Sequence, residues 1–295
     1  MSESSISSGR ASALVSGTWA ENNLGTPGLV FIETGNEKAD YLHGHVPGAV
    51  WIGWSEFQDD LTLGLIGPQK FADLLSAKGI SNDDTVVIYS VASNLLAALV
   101  YWYFTHYGHQ SVKLLDGGRR KWELDNRPLA TDTLAPHPAI YHVPTPDPSV
   151  RAGRDDVLAA IGAASIVDVR TPDEYSGLLF APAFAGPAFA PGNSPHEVAQ
   201  RSGHVPGAIN LPWDAVVNPD DTFKSDDELA AQFAGLDVEA GVITYCWVGA
   251  RSAHTWFVLR ELLGHDDVKN YDGSWAEYGS LLGVPVERSI QKGSR

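Results

Sequence analysis

The chain has 295 residues, 44% of them hydrophobic, with a single cysteine and a formal net charge of −16. This length allows about two domains with full cores, and no apolar run approaches the roughly 18–20 residues of a membrane-spanning helix. The acidic balance argues against a nucleic-acid partner, and one cysteine excludes an internal disulfide and suits the cytoplasm. Residues 1–12 are polar and lack the apolar centre of a secretory signal, so we predict a disordered lead-in there.

Strands and helices alternate from residue 13 onward, which is typical of an α/β domain with a mainly parallel sheet flanked by helices. We predict strands at 29–33, 85–89 and 112–115, and helices at 68–75, at 97–104 and around Trp122. Five prolines between Pro136 and Pro148 then indicate a semi-rigid linker. The first domain is therefore predicted at 13–133 and the linker at 134–149.

The second half of the chain repeats the first. The string Gly-His-Val-Pro-Gly-Ala at 44–49 recurs letter for letter at 203–208. Tyr245 matches Tyr89 and Asp272 matches Asp116, and both pairs are separated by 156 residues. These matches indicate an internal duplication, with a second domain at 150–288 and a tail at 289–295. The second copy also carries an insertion, Leu178–Ser202, which is predicted to be a packed surface loop or a wall of the active site.

Cys246 lies in a tight loop between a predicted strand at 242–245 and a helix that begins near Ser252. Such a turn directs backbone N–H groups and the positive end of a helix dipole towards the loop, which favours a thiolate. A lone cysteine is more often a small buried hydrophobic residue. Because the duplication places Ser90 at the corresponding position, we predict that Cys246 is a nucleophile.

The same alignment places Leu95 opposite Arg251 and Asn94 opposite Ala250. The first domain therefore lacks both the thiol and the guanidinium, and we predict that it is catalytically silent. Arg251, the last loop residue, is predicted to bind an oxyanion, although it could instead pair with an acidic residue. The other predicted substrate-binding residues form a ring of loop N–H groups: Trp247, Val248, Gly249, Ala250 and Ser252.

Asp168 and Arg170 follow the strand next to this loop, and we predict that they form a buried ion pair that supports the site. His204 and its counterpart His45 lie in the repeated turns of both halves, which favours a structural role. The pairs of histidines in the first half lack a third ligand at a sensible spacing, so no metal is predicted.

These motifs resemble those of the tandem-domain rhodaneses, over about residues 13–288, and in particular the actinobacterial thiosulfate sulfurtransferases. The residues that carry the resemblance are the two repeated turns, Asp168-Val-Arg-Thr-Pro-Asp-Glu-Tyr175, Cys246-Trp-Val-Gly-Ala-Arg-Ser252 and Tyr271-Asp-Gly-Ser-Trp275. The resemblance implies two tandem rhodanese-like domains, of which the C-terminal one is active. It also implies a double displacement: Cys246 takes the outer sulfur of thiosulfate, releases sulfite, and passes the sulfur to cyanide or another thiophilic acceptor, which could be a protein. No cofactor is required.

Several residues depart from the family pattern. Trp247, Val248 and Ala250 stand where some thiosulfate-using relatives carry charged residues, and Glu174 stands where vertebrate-type enzymes place an arginine, which predicts weak thiosulfate binding. One alternative is a 3-mercaptopyruvate sulfurtransferase, although its usual Cys-Gly-Ser-Gly-Val-Thr loop is missing. A second is a non-catalytic sulfur-relay or binding protein. A third is a cysteine phosphatase, whose cysteine and arginine are separated by five residues rather than the four found here.

Overall fold

The computed structural model describes residues 9–133, 137–143, 145–181 and 200–289. The described residues fall into two compact units. One comprises the chain up to Pro148 together with Val216–Ala230 and Glu261–Gly264, and the other comprises Ser149–Ala215, Ala231–Arg260 and the chain from His265 onward. The predicted domains at 13–133 and 150–288 do not coincide with these units at every residue, so their bounds stay predictions.

Five parallel strands form the sheet of the first unit, in the order β1-β5-β4-β2-β3. Both neighbours of β4 are strands, and its residues from Val86 to Ser90 are buried, as expected of a strand covered on both faces. In chain order the strands are β1 (Leu14–Val15), β2 (Leu29–Thr34), β3 (Val50–Trp51), β4 (Thr85–Ser90) and β5 (Val112–Leu115).

The second unit contains a four-stranded parallel sheet in the order β7-β6-β8-β9. Its strands are β6 (Ser165–Asp168), β7 (Ile209–Asn210), β8 (Val242–Tyr245) and β9 (Val268–Asn270). Its core includes Trp275, Tyr278 and Tyr245, which are fully buried. The predicted α/β class with parallel sheets is therefore confirmed.

Helices connect the strands of both sheets. Pro68 occupies the first turn of its helix, where the missing N–H costs nothing, and Gly79 follows the end of that helix with a φ of 76°. The α-helices are α1 (Gly17–Asn22), α2 (Lys38–His43), α3 (Pro68–Ala77), α4 (Leu95–His106), α5 (Gly118–Leu124), α6 (Arg154–Ala160), α7 (Pro172–Ser176), α8 (Asp226–Gln232), α9 (Ala250–Phe257) and α10 (Ser274–Tyr278). A π-helix, Val258–Leu262, continues α9. Short 3₁₀ helices lie at Trp54–Phe57, Pro148–Val150 and Trp213–Val216.

Some predicted segments fall partly or wholly outside the described ranges. Residues 9–13 are helical, whereas residues 1–8 of the predicted disordered lead-in at 1–12 lie outside the described residues, so this lead-in stays a prediction. Much of the predicted insertion at 178–202, most of the tail at 289–295 and part of the linker at 134–149 lie outside the described residues. Among the described helices, none combines the length and apolar character needed to cross a membrane.

Candidate active site

The candidate nucleophile Cys246 directly follows β8, at the edge where the parallel strands of this sheet end. Asp168 is the last residue of the neighbouring strand β6 and pairs in register with Tyr245. Helix α9 begins a few residues later, at Ala250. Because open parallel sheets bind ligands outside the carboxyl ends of their strands, Cys246 lies where a ligand is expected.

Main-chain contacts fix the loop that carries Cys246. The N–H of Trp275, in the first turn of α10, donates to the carbonyl oxygen of Cys246 at 3.0 Å. Gly249 has a φ of 86°, and a Cβ atom at this position would lie 2.8 Å from the Cα atom of Asp272. Residue 249 must therefore be glycine, both for its left-handed backbone and for this close approach.

The thiol of Cys246 is buried and surrounded by hydrogen-bond donors. The hydroxyl oxygens of Ser252 and Ser274 lie 3.6 and 3.9 Å from its Sγ atom. Burial raises the pKa of the Cys246 thiol, but the charge of Arg251 and hydrogen bonds from Ser252 and from the N–H of Val248 outweigh burial and leave the pKa below its ordinary value. The site therefore favours the thiolate, which is the nucleophilic form of cysteine.

Ser252 can direct its hydroxyl proton to more than one acceptor. Its Oγ lies 2.6 Å from Oδ1 of Asn270, 3.1 Å from the carbonyl oxygen of Gly249 and 3.6 Å from Sγ of Cys246. A hydroxyl donates one hydrogen bond at a time. Negative charge on the sulfur therefore draws this proton away from the other two acceptors.

Ser274 holds the start of the loop and was not among the predicted site residues. Its Oγ accepts a hydrogen bond from the N–H of Cys246 at 3.0 Å and donates to the carbonyl oxygen of Tyr271 at 2.7 Å. Its φ is 50°, a left-handed conformation that costs a non-glycine residue about 1–2 kcal/mol. The signal in the sequence was the offset of 156 residues, which aligns Ser274 with Gly118 of the first half.

One carboxylate binds both terminal nitrogens of Arg251. Nη1 and Nη2 of Arg251 donate to Oε2 and Oε1 of Glu174 at 2.8 and 2.9 Å, and both residues are buried. Oε2 of Glu174 also accepts hydrogen bonds from the N–H and the hydroxyl of Thr171, which completes the cap of α7. Burial raises the pKa of Glu174, but Arg251 outweighs burial and lowers it. Of the two roles considered for Arg251, pairing with an acidic residue is therefore present, and oxyanion binding stays a prediction.

Asp168 and Arg170 form an ion pair in which neither side chain is exposed. Nε of Arg170 donates to Oδ1 of Asp168 at 2.9 Å, and the Tyr245 hydroxyl donates to Oδ2 at 2.6 Å. The guanidinium carbon of Arg170 also lies 4.6 Å from the ring centroid of Trp275. The ion pair thus contacts the residue before Cys246 and the helix that anchors the loop, and its importance for activity stays a prediction.

The other predicted loop residues differ in exposure. Val248 is 40% exposed, whereas Trp247 is half-buried and packs against the core of the second unit. Gly249, Ala250 and Ser252 are buried. Val248 is therefore the loop side chain that solvent reaches most easily, and substrate contacts by these residues stay predictions.

The histidines of the repeated turns have matching surroundings in the two halves. His45 stacks on Tyr41 with ring centroids 3.9 Å apart, and His204 stacks on Tyr175 at 3.7 Å. The same contact in both copies fits the structural role predicted for these residues. Within the ranges that the structure describes, no group of three or more His, Cys, Asp or Glu side chains could hold a metal ion.

Comparison with known protein families identifies two copies of one domain in this chain. A family model described as a Rhodanese-like domain matches residues 16–125 and 154–281, which together make up most of the chain. The chain belongs to the rhodanese-like family. The predicted pair of tandem rhodanese-like domains is therefore confirmed.

Relatives and solved structures extend this finding. A protein of Mycolicibacterium smegmatis named "Putative thiosulfate sulfurtransferase" is 53% identical over 281 residues, which cover 94% of this chain and 98% of that protein. The "Sulfur carrier protein TtuD" of Thermus thermophilus is 43% identical over 284 residues, covering 93% and 96% of the two chains. A persulfide form of EanB with ergothioneine matches with a TM-score of 0.81 at 22% identity, covering 96% of this chain and 72% of EanB. The first match confirms the resemblance to actinobacterial relatives, and the EanB match shows the fold.

Proposed function

We propose that this rhodanese-like protein is a sulfurtransferase that takes the outer sulfur of thiosulfate onto Cys246 and passes it to a thiophilic acceptor. One observation carries the proposal: the only thiol in the chain is buried in a strand–loop–helix turn where hydrogen-bond donors and Arg251 lower its pKa. The name of the Mycolicibacterium smegmatis relative supports thiosulfate as the donor.

In the first half-reaction, the Cys246 thiolate attacks the outer sulfur of thiosulfate. A bond forms between Sγ and that sulfur, the sulfur–sulfur bond of thiosulfate breaks, and its electron pair leaves with sulfite. No proton is transferred when the attacking group is already a thiolate. A lowered thiol pKa therefore increases the fraction of the protein that can react at neutral pH.

In the second half-reaction, the acceptor attacks the outer sulfur of the Cys246 persulfide. The bond between the two sulfurs breaks and returns its electron pair to Cys246, and with cyanide the product is thiocyanate. The hydroxyl of Ser252 and the N–H of Val248 supply donors for the negative charge on sulfur in both steps. Because the protein stores the sulfur covalently between the steps, we expect ping-pong kinetics.

A protein acceptor is the second candidate for the end of this reaction. The "Sulfur carrier protein TtuD" is 43% identical to this chain, which supports a role in passing the sulfur to another protein. A phosphatase is disfavoured, because Glu174 already binds both terminal nitrogens of Arg251, the group that would otherwise hold a phosphate.

Mass spectrometry tests the proposal directly. Incubation with thiosulfate should add one sulfur atom to the peptide that contains Cys246, and cyanide should remove that sulfur with formation of thiocyanate. Cys246→Ser should give neither the adduct nor thiocyanate while keeping the circular dichroism spectrum of the native protein. An adduct that cyanide does not remove would favour the sulfur-carrier alternative. The absence of an adduct with both thiosulfate and 3-mercaptopyruvate would contradict the proposal.

A further inference from the structure

Arg251, whose charge lowers the pKa of the Cys246 thiol, belongs to a buried ion pair. Arg251 and Glu174 are joined by two hydrogen bonds of 2.8 and 2.9 Å, and the residues are 8% and 1% exposed. Water therefore screens neither group well. A donor that approaches the thiolate meets a cation and a carboxylate together rather than a lone guanidinium.

Glu174 is held by other hydrogen bonds besides those from Arg251. Its Oε2 atom accepts hydrogen bonds from the N–H and hydroxyl of Thr171 at 3.2 and 3.0 Å in addition to the bond from Arg251. The carboxylate is thus held from the side of α7 as well as from α9. Arg251 cannot turn both terminal nitrogens towards a substrate without giving up this partner.

This arrangement affects anionic donors unequally. The Coulomb energy of a donor in the field of the site scales with the charge of the donor. Thiosulfate is a dianion at neutral pH, whereas 3-mercaptopyruvate carries one carboxylate charge while its thiol is protonated. The negative charge of Glu174 therefore opposes thiosulfate more strongly than it opposes a monoanion.

We propose that Glu174 is a positioning residue that tunes donor selectivity: by binding Arg251 it offsets part of the charge of that residue and lowers the preference of the site for dianionic sulfur donors relative to singly charged ones. This inference rests on the proposed sulfur transfer and concerns the same site.

Glu174→Gln tests the role, because glutamine keeps the shape and one acceptor but removes the charge. The ratio of kcat/KM for thiosulfate to kcat/KM for 3-mercaptopyruvate should rise by roughly tenfold, since the freed charge of Arg251 attracts the dianion more strongly. Changes in the reactivity of Cys246 itself affect both donors and cancel in this ratio. An unchanged or lower ratio would overturn the proposal.

A double variant covers the case in which Glu174→Gln does not fold. Glu174→Gln combined with Arg251→Gln removes both charges and leaves no lone buried ion. Its selectivity ratio should stay within about threefold of the wild-type ratio, because the net charge of the site is unchanged. A larger fall would show that Arg251 attracts the dianion in spite of Glu174, and would refute the inference.

Asp40→Asn is the matched control. Asp40 precedes Tyr41 as Glu174 precedes Tyr175, and each tyrosine stacks on the histidine of its repeated turn. Removing this exposed carboxylate of the first unit changes the net charge of the chain by the same amount. The selectivity ratio should not move, and an increase equal to that of Glu174→Gln would assign the effect to overall charge.

Alkylation of Cys246 separates failure of this inference from failure of the proposed function. Iodoacetamide reacts with the thiolate whether or not the protein transfers sulfur. Glu174→Gln should shift the midpoint of the pH–rate profile for alkylation downward, because it removes a negative charge near the sulfur. This shift without any turnover would contradict sulfur transfer alone, and an unmoved midpoint would contradict the role of Glu174.

Discussion

The loops that follow β4 and β8 occupy corresponding places in the two repeats but satisfy their backbone differently. The N–H of Ser90 donates to Oδ1 of Asn94 at 2.9 Å, so the first loop provides its own acceptor. The N–H of Cys246 donates to Oγ of Ser274 at 3.0 Å, an acceptor from outside the loop. The backbone N–H at this position thus has a hydrogen-bond acceptor in both copies. Only in the second copy does the acceptor also lie near a thiol.

Steric contact links the residues that differ between the two loops. At the offset of 156 residues, Asn94 corresponds to Ala250 and Gly118 corresponds to Ser274. A Cβ atom at Gly118 would lie 2.3 Å from Oδ1 of Asn94 and 2.5 Å from the carbonyl oxygen of Ser90, so both the asparagine and the loop backbone require glycine there. The first loop could not acquire the serine arrangement of the second by one substitution.

Beneath the loops, a tyrosine makes equivalent hydrogen bonds in the two repeats. The Tyr89 hydroxyl donates to Glu33 at 2.7 Å, and the Tyr245 hydroxyl donates to Asp168 at 2.6 Å. Each tyrosine oxygen also accepts a backbone N–H from its repeated turn. The repeats therefore share a buried carboxylate–tyrosine contact beneath loops that differ chemically.

Moving the thiol from one loop to the other tests the comparison most severely. We expect Ser90→Cys in a Cys246→Ser background to show no sulfur transfer, because the Asn94 side chain binds inside that loop and Leu95 replaces the cation. Thiocyanate formation from thiosulfate and cyanide measures the result. Cys246→Ser alone is the control, and turnover above its level would disprove the prediction that the first domain is silent.

Replacing Arg251 by leucine, the residue at the corresponding position 95 of the first repeat, should have the next largest effect. Arg251→Leu leaves Glu174 buried without its cation, which should lower the free energy of unfolding by about 3–5 kcal/mol at pH 7. In the native protein the lowered pKa of Glu174 contributes stability above the unfolded-state pKa of about 4.3, and this contribution is lost as the pH falls through the folded-state pKa. In the Arg251→Leu variant, burial without the cation raises the pKa of Glu174. The carboxyl group then takes up a proton as the pH falls, so the destabilisation should shrink between pH 7 and pH 4.

Urea unfolding at both pH values measures this effect. Adding Glu174→Gln to Arg251→Leu removes the lone buried charge and should restore most of the lost stability. If Arg251→Leu costs no more than about 0.5 kcal/mol, the range of ordinary surface substitutions, the ion pair does not stabilise the second unit.

The sequence predicted the parts of this site that depend on local patterns. The strand at Val242–Tyr245 and the position of Cys246 followed from a short apolar run and the internal repeat. The pairing of Arg251 with Glu174 joins residues 77 positions apart, and no local pattern reports such a contact. Ser274 was missed because serine seldom adopts a positive φ, and the π-helix at Val258–Leu262 was missed because its apolar spacing also fits an α-helix.

The smallest expected effect concerns the acidity of the two thiols. Because the pKa of Cys246 is lowered, its alkylation by iodoacetamide should rise with pH and level off with a midpoint below about 8.5, the ordinary value for cysteine. The thiol introduced by Ser90→Cys in the Cys246→Ser background is buried and has Leu95 in place of the cation, so its midpoint should lie above that value. Alkylation rates across a pH series, with denatured protein as the reference, measure both midpoints. Equal midpoints would mean that the loop backbone alone sets thiol acidity in both repeats, and that Arg251 and the serine hydroxyls contribute nothing to it.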